Sequence, residues 1–188
     1  MRVFVGIPIP EGVSARVATF VDALRPLAAL RWSQVADLHV TTKFIGERSS
    51  ADVAKVESVL RALAPRAAFS IAVRGVGWFP DALAPRVFWA GIDAPPALIE
   101  LAGDTDRALA SLGVPVERRA YAPHLTLARV PPGARLDALR QAPAFQPSTD
   151  FGAFTAEHFA LYESGGRADG VGRYRALATF PLGVTPSV

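Results

Sequence analysis

The chain has 188 residues, about half of them apolar, with a formal net charge of +3 and no cysteine. That length can bury a real core as one domain or two small lobes. Without cysteine there are no disulfides, thiolate metal sites or cysteine nucleophiles, so any chemistry falls to His, carboxylates, hydroxyls or Arg.

"RVFVGIPI" is rich in β-branched residues and reads as a strand that Pro8, Pro10 and Gly12 end. A helix is expected next, because Val13, Val17, Phe20, Val21, Leu24 and Leu27 recur on one helical face. "LHVTTKFIG" is strand-like and stops at Gly46. Ser49 or Ser50 then caps a second helix whose apolar positions Val53, Val56, Val59, Leu60 and Leu63 run to Pro65. "AFSIAVRGVGWF" and "RVFWAGI" are two strands joined by the turn-prone "PDALAP". "PPALIELAGDTDRALASLG" is a helix with proline at its entry and Gly113 at its exit. "HLTLARV" is a strand, and "PPGARLDALRQAP" a short, weaker helix. "FTAEHFALYES" and "YRALATFPL" are the last strands, separated by "SGGRADGVG", which has the composition of a mobile loop.

The order is β, helix, β, helix, two β, then helix, β, helix, two β. It suggests an internal duplication with one His-x-Thr strand in each half. The expected fold is α+β: two pseudo-symmetric lobes, each a mainly antiparallel sheet with helices on its outer face and a ligand cleft between them. No apolar run approaches the roughly 18 residues of a membrane span, and "MRVFVGIPIP" lacks the pattern of a signal peptide. A cytoplasmic protein that does not engage membranes is therefore expected, with a monomer as the default state.

The chain holds three histidines. Two of them, His39 and His124, are followed at i+2 by threonine, although threonine is only about one residue in twenty. On a strand, i and i+2 share a face, so His39 lies beside Thr41 and His124 beside Thr126. Val40 and Thr42, and Leu125 and Leu127, face the other way. Either motif alone is an ordinary strand feature, since threonine favours strands. Together they form a four-group site suited to phosphodiester chemistry. One imidazole can take a proton from the attacking oxygen while the other protonates the leaving oxygen, because both protonation states are accessible near neutrality. The hydroxyls can donate to non-bridging phosphate oxygens.

Other chemistries fit less well. A zinc site would need a third ligand such as His158, Asp37 or Glu157, yet no close His/His or His/carboxylate spacing supports one, so no metal is expected. His158 lacks the Thr and reads as structural. There is no Gly-x-Ser-x-Gly elbow and no P-loop. Nearly all the positive charge is arginine, with Lys43 and Lys55 the only lysines. That bias suits phosphate binding but also fits a GC-rich coding sequence.

"RVFVGIPIP", "LHVTTKFIG", "RVFWAGI", "YAPHLTLARV" and "RYRALATFPL" together resemble the 2H phosphoesterase superfamily. In particular they resemble its RNA 2′,3′-cyclic phosphodiesterases, historically called 2′-5′ RNA ligases. The resemblance spans nearly the whole chain, as one bilobal domain over residues 1–188, and "PHLTLAR" is its most specific piece. It implies an enzyme that hydrolyses the 2′,3′-cyclic phosphate end of an RNA or oligonucleotide to a 2′-phosphate, with no metal and no cofactor. By motif position, His39 would be the general acid, His124 the general base, and Thr41 and Thr126 the phosphate holders. Arg129 would be a further phosphate contact. Bare strand alternation puts Arg129 on the face opposite His124, so that role requires a bend or bulge.

Phe44, Trp78, Phe79 and Tyr121 are candidates to stack on a nucleobase, although aromatic residues on strands usually pack in a core. Lys43 and Arg173 could reach an RNA backbone, with solvation as the plainer expectation. Two other readings keep the cleft. In one the same site acts on another cyclic phosphate or a 2′-5′ linked nucleotide. In the other the chain is a non-catalytic RNA-binding module, which would not require two titratable groups.

Overall fold

The computed structural model describes residues 1–146, 148–165 and 173–183. Among them are nine strands and four helices, the expected order with two strands added: β1 Arg2–Pro8, α1 Glu11–Leu24, β2 Arg31–Trp32, β3 His39–Glu47, α2 Ser50–Leu63, β4 Phe69–Phe79, β5 Val87–Asp93, α3 Pro96–Ala110, β6 His124–Arg129, α4 Asp137–Gln141, β7 Asp150–Ala156, β8 His158–Ser164 and β9 Tyr174–Pro181. The glycine-rich segment lies outside the described residues from position 166 to 172.

The helix boundaries have local causes. Helix α1 buries Val13, Val17, Phe20, Val21 and Leu24 on one face, as the spacing predicts. It stops one turn short of Leu27 because Pro26 has no N–H to donate to the carbonyl four residues back, and residues Arg25–Leu27 tighten into a 3₁₀ turn. Ser49 caps α2, its hydroxyl accepting from the Asp52 amide at 3.2 Å. Gly113, with φ +72°, provides the left-handed exit after α3.

The strands form two antiparallel sheets. One has the order β3-β1-β8-β9 and the other β2-β6-β5-β4-β7. The sheets are not the two halves of the sequence. The first combines strands from both ends of the chain, and the second takes the middle. Helix placement crosses over in the same way. Helix α1 leaves the first sheet and packs on β7 of the second, whereas α3 leaves the second and packs on β3 of the first, beside α2. Each sheet therefore buries one face under a helix contributed from the other side, which makes the core continuous. Phe20, Phe88 and Phe151 meet under α1, and Phe159 stacks on Phe180 at 5.0 Å in the other sheet.

Two features depart from the sequence reading. "FTAEHFALYES" is not one strand: it breaks at Glu157, with β7 in the second sheet and β8 in the first. The stretch has no Gly, Pro, Asn or Asp at the break, so the change of sheet leaves no turn signal. The two-residue strand β2 is also absent from that reading, being too short to show periodicity. Among the described residues, no helix is long and apolar enough to cross a membrane.

Candidate active site

Strands β3 and β6 carry the two His-x-Thr motifs, one in each sheet, and both open onto one cleft of about 300 Å³. His39, Thr41, His124, Thr126 and Arg129 all line it. The alternation expected of these strands holds for the first four positions. Val40 and Leu125 are fully buried, as is Leu127, and Thr42 is nearly so, while the His and Thr residues face the cleft.

Both strands then break step at the same place. In β3, Thr41 pairs with Gly6 and Lys43 with Val5, leaving Thr42 as an extra residue. In β6, Thr126 pairs with Trp89 and Ala128 with Phe88, leaving Leu127 extra. These are β-bulges, and they reset the facing of the two residues that follow in each strand. Lys43 and Ala128 turn inward behind the bulge, and Phe44 and Arg129 return to the cleft. The bulge that a cleft role for Arg129 requires is therefore present. The true unit is His-x-Thr-x-x-(Phe/Arg), with Phe44 as the counterpart of Arg129.

Each imidazole is oriented in the same way. Nδ1 of His39 lies 2.7 Å from the carbonyl oxygen of Asp37, and Nδ1 of His124 lies 2.9 Å from that of Ala122, two residues upstream in both cases. A carbonyl only accepts, so Nδ1 carries a proton in both rings, and Nε2 is the atom left for other chemistry. Gly6 provides the space His39 occupies, since a Cβ there would sit 3.2 Å from its Cδ2 and 3.1 Å from the Val40 carbonyl oxygen.

The surroundings of the two rings differ. His39 stacks on Phe4 at 4.6 Å and meets the edge of Tyr174 at 5.1 Å, whereas among the described residues the one aromatic ring at His124 is Phe79, edge-on at 4.9 Å. Burial lowers the pKa of both histidines, because the charged form loses hydration. The neighbouring charges act with opposite signs. The hydrogen bond to the Asp37 carbonyl and the Asp37 carboxylate pull His39 back up against that burial, with a smaller downward push from His124. At His124, the Ala122 carbonyl pulls up while the Arg129 guanidinium pushes further down.

Asp37 has a role that its residue type alone did not reveal. Its buried carboxylate accepts from the Arg173 amide at 2.7 Å and from Arg173 Nε at 3.2 Å, which fixes Arg173 at the cleft wall. A carboxylate two residues before a strand histidine is the signal that could have pointed to it. Tyr121 joins the two motif strands directly: its hydroxyl, three residues before β6, donates to the Thr41 carbonyl in β3 at 2.9 Å. Burial raises its pKa, so it remains a donor. Ser33 supports the other motif by donating to the Thr126 carbonyl at 2.7 Å.

Of the four aromatic candidates for base stacking, only Phe44 lines the cleft, and it is 65% exposed. Trp78 is core, stacked on Phe88 at 4.5 Å. Phe79 supports His124, and the Tyr121 hydroxyl is committed to Thr41. Lys43 corrects the expectation of a solvated side chain. It is 7% exposed, forms an ion pair with Asp106 and donates to the Pro115 carbonyl at 2.6 Å. The bulge at Thr42 sends it inward, a displacement that alternation could not foresee. His158 opens β8 away from the cleft, paired in register with Pro181. Among the described residues, no three His, Cys, Asp or Glu side chains are grouped so that they could hold a metal ion.

The sequence profile of LigT-like phosphoesterases matches residues 7–89 and 92–171. The chain belongs to the LigT-like phosphoesterase family. An RNA 2′,3′-cyclic phosphodiesterase of Geobacillus stearothermophilus is 33% identical over 184 residues, 95% of this chain and 56% of that protein. The chain thus spans little more than half the length of that relative. One from Methanocaldococcus jannaschii is 32% identical over 164 residues, covering 87% of this chain and 91% of its own. Among solved structures, a protein of Thermus thermophilus superposes with a TM-score of 0.78 at 30% identity, covering 97% of this chain and 98% of that one. E. coli LigT, solved in complex with 3′-AMP, superposes with a TM-score of 0.77 at 26% identity, covering 96% and 97%.

Proposed function

We propose that the chain hydrolyses the terminal 2′,3′-cyclic phosphate of RNA to a 2′-phosphate, with His39 as general acid, His124 as general base and no metal ion in the step. The observation that carries this reading is the pair of imidazoles on one cleft, each with Nδ1 turned to a main-chain carbonyl and Nε2 left for substrate. The substrate class comes from the relatives, several of which are named RNA 2′,3′-cyclic phosphodiesterase.

In the proposed step, neutral His124 takes a proton from water through Nε2 as the water oxygen attacks phosphorus. The bond from phosphorus to O3′ breaks, and Nε2–H of protonated His39 gives its proton to O3′. The products are a 2′-phosphate and a free 3′-hydroxyl. His124 is left protonated and His39 neutral, and exchange with solvent restores both. Thr41 and Thr126 donate to the non-bridging oxygens, and Arg129 stabilises the charge that accumulates there. The flanking charges support this division of labour, because Asp37 favours a protonated His39 and Arg129 a neutral His124. Residues 1–188 are proposed to act as one unit, since the first sheet is assembled from both ends of the chain.

The test is phosphorus NMR on a nucleoside 2′,3′-cyclic phosphate incubated with the protein in excess chelator. The 2′-phosphate is the expected product. A 3′-phosphate product, or activity lost to the chelator and restored by a divalent metal, would overturn the reading.

A further inference from the structure

Beside the catalytic cleft lies a larger groove of about 870 Å³, which shares Arg31 and Arg129 with the cleft and continues past Arg86, Arg135 and Arg140. Among the described residues its only carboxylate is Asp137. Arg140 is held in place, donating to the Ala82 carbonyl at 2.5 Å and lying 5.6 Å over Trp78. The side chains of Arg31, Arg86, Arg129 and Arg135 form no ion pair with any described residue, and all four are exposed.

Two of these arginines are set against each other. Arg31 of β2 is the direct cross-strand partner of Arg129 of β6, at the point where cleft and groove join. Like charges directly opposite on a sheet repel, so this placement costs stability unless an anion lies between them. Arg86 is tied to the same strand end, its carbonyl accepting from the Val130 amide at 2.9 Å. The guanidinium groups thus form a track leading away from the histidines. A planar fork of donors suits successive phosphodiesters.

We infer that this groove holds the phosphodiester backbone of the RNA 5′ to the cyclic-phosphate nucleotide, making the preferred substrate an oligonucleotide end and not a free mononucleotide. This rests on the phosphodiesterase reading above and extends it. The terminal nucleotide occupies the cleft with its cyclic phosphate at Arg129, the first internucleotide phosphate meets Arg31, and the next ones meet Arg86 and Arg135.

The experiment compares kcat/KM for a nucleoside 2′,3′-cyclic phosphate with that for a hexaribonucleotide ending in the same group, across a salt series. The variants are Arg86→Ala/Arg135→Ala and Arg86→Lys/Arg135→Lys. Neither side chain makes an intramolecular hydrogen bond with a described residue, so neither pair of substitutions threatens the fold. The wild type should prefer the hexamer. The Ala pair should reduce that preference roughly tenfold, leave the mononucleotide rate unchanged and flatten the salt slope by about 1.4, the value for two lost contacts to a single strand. The Lys pair should retain most of the preference, because the charge is kept. Equal kcat/KM for both substrates in the wild type would overturn the groove assignment while leaving the phosphodiesterase reading intact. So would an Ala pair that slows both substrates alike or neither. Turnover of neither substrate by the wild type would overturn both.

Discussion

Strands β3 and β6 follow one six-residue plan, yet the two copies have diverged at every position except the His and the Thr. Behind the bulge, β3 buries Lys43 in an ion pair where β6 has Ala128. At the cleft, β3 presents Phe44 where β6 presents Arg129. Around the imidazoles, His39 has Phe4, Tyr174 and the Asp37 carboxylate, while His124 has Phe79 and a guanidinium. The shared positions are those that general acid/base chemistry on a phosphate would use. The charges beside the two rings act in opposite directions, Asp37 raising the pKa of His39 and Arg129 lowering that of His124, on top of the burial that lowers both.

The comparison is broken most severely by removing either shared histidine. His39→Ala and His124→Ala should each lower kcat by roughly 10² to 10⁴, and the double variant should be scarcely worse than the poorer single one, since the two act in one step. Steady-state kinetics on a cyclic phosphate would check this. An inward-facing divergent residue should behave differently. Lys43→Met leaves the half-buried Asp106 carboxylate with only the Glu117 amide as a donor and should cost about 1–3 kcal/mol of stability in chemical denaturation, with the turnover of the folded fraction retained. Thr41→Val and Thr126→Val should each lower kcat/KM roughly ten- to hundredfold, the loss of one hydrogen bond to a charged group.

The smallest effects should be the most discriminating. In the pH profile of kcat/KM the proposed step needs His124 neutral and His39 protonated, which gives a bell whose acid limb is expected to report His124 and whose alkaline limb His39. Burial lowers both, which moves the optimum to the acid side of the ordinary histidine value. Arg129→Ala removes a charge that holds His124 down, so the acid limb should move to higher pH. Asp37→Asn removes a charge that holds His39 up, so the alkaline limb should move to lower pH. The two variants should narrow the profile from opposite sides.

The strand order, the helix faces and the two His-x-Thr pairs were legible in the sequence because each rests on a local period. Val13 to Leu24 repeat at helical spacing, and His39 and Thr41 alternate in register with a buried Val40. What was hidden depends on contacts between distant segments. Nothing near Thr42 or Leu127 announces a bulge, so the inward turn of Lys43 was missed and that of Arg129 back to the cleft stayed open. The break at Glu157 and the crossing of α1 and α3 between sheets are choices of partner strand, which no local pattern encodes. Tyr121 has the look of a stacking residue in the sequence, and only the fold brings its hydroxyl to the Thr41 carbonyl, 80 positions away.

The division of roles between the two histidines is exposed by the leaving group. A substrate whose 3′ bridging oxygen is replaced by sulfur departs as a thiolate, which needs far less help from an acid than an alkoxide does. His39→Ala should regain near wild-type turnover on this 3′-thio cyclic phosphate, while His124→Ala stays slow on both substrates. Recovery of His124→Ala without recovery of His39→Ala would reverse the roles, and recovery of neither would contradict general acid catalysis at the 3′ oxygen.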